Sequence, residues 1–262
     1  MISVTMKLLM TTSATTILTV RGQEQKELPT KFQANFADGN NPNSAGILEL
    51  EFDEDSLMGS GNIKFDKSTI QLALKTAAST ARNKAADVST DQTEKIALNL
   101  SAYKAENCEI TTGLAYHIHT AWMHEDSMVK FGGVQCGKDF TSGHYDPVGE
   151  IGTENCIIEK GAALPDNVNT ICELGDLSNK FGSQVDATTP VDTSINVTID
   201  FDDTAFLDQV TMGEFVDSVN GNTDHANKLS IVFHACGNRF ACAQIVSAET
   251  SGCYRKTPTM HS

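Results

Sequence analysis

Apolar residues in this chain come in short runs that alternate with polar ones, the period of two that a half-buried β-strand imposes. Phe32, Ala34 and Phe36 alternate in this way, Ile47, Leu48, Leu50 and Phe52 follow Gly46, and Ile63 and Phe65 alternate again. Between the first two runs, Asp-Gly-Asn-Asn-Pro-Asn from Asp38 reads as a turn. Further strands are expected at Ile96–Leu100, Leu114–His119, Ile195–Phe201, Leu229–His234 and Phe240–Val246. Residues 67–87 break the pattern. They are rich in helix formers, with Ile70, Leu74 and Ala78 at helical spacing, so a single inserted helix is expected, followed by a polar link through Asp91 and Gln92. The stretch from about 120 to 190 is irregular and holds nine of the 19 Gly and three of the seven Cys. About six to nine short strands with turns between them indicate an all-β sandwich or barrel.

Charge narrows the function classes. Among 262 residues, 34 acids outnumber 19 Lys and Arg, for a net charge of −15. Such a chain repels phosphate backbones, so nucleic acid is excluded as a partner. No apolar run reaches the roughly 20 residues of a membrane-spanning helix. Seven cysteines stand at 108, 136, 156, 172, 236, 242 and 253 without a CxxC pair. That pattern points to disulfides and an extracellular or secretory compartment, with one thiol left over. Sequons at Asn99 and Asn196 fit the same route. Residues 1–30 read as a leader or flexible segment: Leu8-Leu9-Met10 after Lys7 is either a weak signal-peptide core or an exposed strand. Residues 31–247 form the β domain, and 248–262 a polar tail.

The chemistry lies in the histidines. In Tyr116-His117-Ile118-His119, a strand directs both imidazoles to one face and Ile118 to the other. Such a pair is either half of a metal site or two partly buried polar side chains. His234 ends an apolar strand, where an imidazole needs a partner: a metal or a backbone carbonyl. His144 lies in a turn-forming Gly-His-Tyr-Asp-Pro that can aim its ring at the sheet or leave it in solvent. Together the four could supply a square set of nitrogens, which favours copper(II). His124, His225 and His261 read as solvated loop or tail residues.

With these segments in hand, the chain resembles the copper/zinc superoxide dismutase superfamily, and within it the copper-only branch. Tyr-His-Ile-His (116–119), Gly-His-Tyr-Asp-Pro (143–147), Cys-Glu-Leu-Gly-Asp-Leu-Ser-Asn (172–179), Phe-His (233–234) and Gly-Asn-Arg-Phe-Ala-Cys-Ala (237–243) occur in the family's order. The resemblance implies a Greek-key β-sandwich or barrel of about eight antiparallel strands with long irregular loops. It implies one copper ion per chain on His117, His119, His144 and His234, superoxide as substrate, and a monomer. Zinc is not expected: Asp176 matches one zinc ligand, but Glu173 replaces a histidine, and Pro147-Val-Gly-Glu-Ile-Gly offers none. Glu173 would instead orient the His144 ring, with Asp176 a further carboxylate behind the His117/His119 pair. Only four residues separate His234 from Arg239, so the copper should be open to solvent, with Arg239 attracting the anion and His144 carrying the proton.

The family's disulfide would join Cys136 to Cys242. Cys156 and Cys172, which bracket a polar loop, are expected to pair too, while Cys108, Cys236 and Cys253 remain unassigned. The loop from His119 to His144 is longer than the family's, and its Met123 and His124 either approach the metal or pack within the loop. The alternative to an enzyme is a non-catalytic copper-binding secreted or surface protein on the same fold.

Overall fold

The structure is a computed structural model and describes residues 28–37, 44–88, 91–110, 114–149, 156, 158, 162–182, 194–224 and 226–248. Among these are eight strands: β1 (Lys31–Asn35), β2 (Ile47–Phe52), β3 (Leu57–Asp66), β4 (Leu114–His119), β5 (Val129–Phe131), β6 (Ser194–Asp203), β7 (Ser230–Ala235) and β8 (Asn238–Ser247). All pairings are antiparallel, in the order β4-β7-β8-β1-β2-β3-β6, with β5 also on β8. β3 pairs with β6 and β4 with β7, the non-sequential neighbours of a Greek-key sheet. β8 joins the two halves: Ser230 to Ala235 of β7 pair along it, and its end, Ile245 to Ser247, pairs with β1.

The sheet curls until its two edges, β4 and β6, approach each other, with the Tyr116 and Phe201 rings 6.4 Å apart. Loop backbone occupies the outer edge of β4 in place of another strand. Ile118 donates to Gly175 (2.9 Å) and accepts from Tyr145 (2.8 Å), and His119 bridges to His144. Gly175 is required there, because a Cβ would stand 2.4 Å from the Ile118 carbonyl oxygen. Phe36, Phe65, Phe233 and Phe240 fill the curl edge to face, at 4.8–5.8 Å between contacting rings.

Helices depart from the expectation of one insert. α1 (Lys67–Asp87) stands where expected, but the strand expected at Ile96–Leu100 is the middle of a second helix, α2 (Gln92–Glu106). Asp91, read as part of a link, caps α2 by accepting from the Thr93 and Glu94 amides. Ala102 and Ala105 are the buried positions of α2, whereas the Ile96 and Leu100 that suggested a strand are 66% and 50% exposed. Short helices α3 (Lys138–Thr141), α4 (Val168–Ile171) and α5 (Leu177–Phe181) punctuate the irregular stretch, and α6 (Met212–Asn220) was not expected. Its signal was present: Thr211 and Glu214 form a reciprocal capping box ahead of Phe215, Val216 and Val219. β3 begins earlier than its alternation shows because Gly59 and Gly61 interrupt it. A Cβ on Gly59 would strike the Phe201 ring, and one on Gly61 the Ile47 carbonyl.

Three disulfides join Cys136 to Cys242, Cys156 to Cys172, and Cys108 to Cys236. The last pair, unassigned from sequence, ties the end of the α1–α2 hairpin to the β7–β8 turn. Closing so long a loop contributes about 5 kcal/mol in the chain-entropy model. Asn99 lies exposed on α2, and Asn196 partly buried on β6. No described helix is long and apolar enough to cross a membrane. The leader up to residue 27, His225, Cys253, His261 and the tail beyond Ala248 lie outside the described residues.

Candidate metal centre

Strand alternation on β4 sends Tyr116 and Ile118 into the core and His117 and His119 toward the loops, all four side chains buried. On β7, a bulge between Phe233 and His234 shifts the register so that His234 faces Arg239 across the hairpin. The turn has two residues, Cys236 (φ 47°) and Gly237 (φ 81°), the left-handed pair that a tight hairpin needs. The loop histidine arrives through the His119–His144 bridge.

The four rings form a quadrilateral. Four centroid separations are short: His117–His144 4.2 Å, His117–His234 4.7 Å, His119–His144 5.1 Å and His119–His234 5.5 Å. Two are long, His117–His119 at 6.1 Å and His144–His234 at 6.5 Å. A tetrahedron would make all six alike, whereas short sides with long diagonals describe a puckered square.

Each ring has one nitrogen engaged outside this square. His117 Nε2 lies 2.8 Å from Ser178 Oγ and 3.1 Å from Asp176 Oδ1. His119 Nδ1 lies 3.1 Å from the Ser142 carbonyl oxygen. His144 Nδ1 is hydrogen-bonded to the Glu173 carboxylate, and His234 to the Gly237 backbone. What remains is Nδ1 of His117, buried without a hydrogen-bond partner, and Nε2 of the other three. One candidate ligand atom per histidine falls within 4.8 Å of the rest, so the four could hold a single metal ion. A buried nitrogen with no partner, facing three more, fits a metal better than a satisfied core. The contacts behind the rings fix tautomer and orientation as they do around bound metals.

Burial keeps His117, His119 and His234 neutral, the form that ligates. It holds His119 and His234 well below the usual imidazole range, and the charge of Arg239 lowers both further. It also lowers His117, against the opposing hydrogen bond to Asp176. Burial raises the Asp176 carboxyl, but its contacts with His117 outweigh that and keep it below the ordinary value. The sign of the pH dependence follows. The folded imidazoles resist protons that the unfolded chain takes up near 6.5. Their stability contribution is therefore complete above that pH and lost below it. Thermal melts of metal-free protein should show Tm falling from pH 7.5 to 5, and a flat profile would contradict buried neutral rings.

Arg239 stands beside the square. Its guanidinium donates to Thr141 Oγ1 (2.8 Å) and to the Ser142 carbonyl (2.6 Å), the oxygen that also meets His119. Ser142 holds a positive φ of 60° to present that carbonyl. Arg239 forms no ion pair among the described residues, so its charge is not neutralised by a neighbouring carboxylate.

Met123 and His124 belong to the loop and not to the square. The His124 ring stacks on Phe140 (4.6 Å) and its Nε2 meets the Gln135 carbonyl, while the Met123 sulfur accepts from Asn227. Sequence reasoning missed Thr141, Ser142 and Ser178. Only Ser178 left a signal, two residues beyond Asp176. No protein-family model and no curated protein matches the chain.

Proposed function

We propose that this chain is a copper-dependent superoxide dismutase that works without zinc. The observation that carries the reading is a square of four imidazoles beside an unneutralised arginine. Imidazole nitrogens in tetragonal array suit copper(II). His144 Nδ1, the atom that would have to reach a second metal, is committed to Glu173. When bound, copper would supply the alternating one-electron chemistry by which two superoxide ions and two protons become oxygen and hydrogen peroxide.

The chain's own residues account for the rest. Arg239 draws a small anion toward the square on a molecule whose net charge opposes anions. His144, with 20% of its side chain exposed, is the ring that water reaches. When not engaged by the metal, its Nε2 can take a proton from solvent and pass it to the reduced oxygen species while Nδ1 stays on Glu173. Glu173 thereby returns the ring to the same place each cycle. Simple copper storage needs neither Arg239 nor a proton carrier, which separates the enzyme from a non-catalytic copper-binding protein. The three disulfides support an oxidising, extracellular type of compartment.

Superoxide consumption by purified protein, measured before and after copper loading, tests the reading. Activity should rise with copper up to one ion per chain and gain nothing from zinc. Full activity in copper-free protein would overturn it.

A further inference from the structure

Glu173, Asp176 and Ser178, which hold the rings of His144 and His117, lie on a segment with no strand of its own. We propose that Lys180, paired with Asp203, is the positioning residue that sets this segment against the two rings. The proposal rests on the four-histidine metal centre and does not depend on the dismutase reaction.

Both partners are fully buried. Lys180 Nζ donates to Asp203 Oδ2 at 2.7 Å and to the Leu174 carbonyl at 2.9 Å. Asp203 is the last residue of β6, in register with Leu57 of β3, and its other carboxylate oxygen accepts from the Ala205 amide. The ammonium therefore runs from a strand-anchored carboxylate to the backbone between Glu173 and Gly175. One residue before Leu174, the Glu173 carboxylate meets His144. One residue after it, Gly175 bonds to both Ile118 and Tyr145. The Lys180 amide also donates to the Asp176 carbonyl, and Phe181 stacks on Phe201 at 4.9 Å. The segment is thus held at one end by Cys156–Cys172 and at the other by β6.

Energetics favour a positioning role over a purely structural one. Burying two ions carries a desolvation penalty of several kcal/mol per ion, and well-packed apolar residues often replace such a pair without loss. No apolar pair can donate to the Leu174 carbonyl, which is buried and has no other described donor. Without that donor the peptide must turn toward another, carrying Glu173 with it.

The full chain carrying Lys180→Met and Asp203→Leu, loaded with copper(II), tests this, since it removes both charges together. If it does not fold, Lys180→Met with Asp203→Asn takes its place. Copper(II) titration and electron paramagnetic resonance should show binding weakened about tenfold, the scale on which supports behind metal ligands act, with changed hyperfine splitting. Glu173→Gln should cause a similar loss in the wild-type background and little more in the double variant, because both act through one ring. Wild-type affinity and spectrum in the double variant, or losses that multiply, would overturn the proposal alone. A wild-type chain that takes up no copper(II) would overturn the metal centre and this proposal with it.

Discussion

His234→Ala is expected to bind copper(II) more than 100-fold more weakly than the wild type, beyond the roughly 10–100-fold seen on losing a contact behind a ligand. The same variant should lose dismutation and keep its fold. The imidazole is buried at the end of β7, its Nε2 3.4 Å from His119 Nε2, two ring nitrogens facing each other with no group between them. In metal-free protein that contact adds little to stability, and removing one ring relieves a crowd of neutral but polar groups. Metal-free His234→Ala should therefore lose little stability beyond its bond to the Gly237 backbone and the ring's packing. A histidine that served only the core would behave in the opposite way, losing stability with no change in metal binding. Thermal melts with and without copper separate the two.

Arg239→Ala is expected to lower kcat/KM for superoxide by at least about tenfold while copper content stays at one per chain. Clefts that focus one sign of charge raise association rates by about 10- to 1000-fold. Here the guanidinium is the nearby positive charge on a chain of net charge −15. Burial lowers its pKa, yet an arginine stays charged at any physiological pH. The rate should fall with added salt in the wild type and become nearly salt-independent in the variant. Arg239→Lys keeps the charge but cannot bridge Thr141 and Ser142 as the planar fork does, so an intermediate rate is expected. An unchanged rate in Arg239→Ala would remove the guidance role.

The curled sheet was legible because β1, β2 and β6 alternate apolar with polar residues and β7 carries a continuous apolar run. α2 was not, because Ile96, Leu98 and Leu100 alternate by accident while the packing is done by Ala102 and Ala105, residues too small to mark a face. The four histidines could be picked out since each sits in a distinctive local setting. Their supports were legible only in part. Glu173 and Asp176 stood out only through the resemblance to the superfamily's motif, whereas the Ser142 carbonyl acts through backbone geometry that no side chain announces. The Cys108–Cys236 pair joins segments 128 residues apart, and only the fold brings them together.

Electron paramagnetic resonance of the copper(II)-loaded wild-type chain, with metal content measured on the same sample, tests the four-imidazole centre most directly. One copper per chain should appear, with a tetragonal signal split by nitrogen nuclei, and loss of any one of His117, His119, His144 or His234 should change that splitting. Copper bound without nitrogen splitting, or a signal indifferent to all four substitutions, would contradict the account.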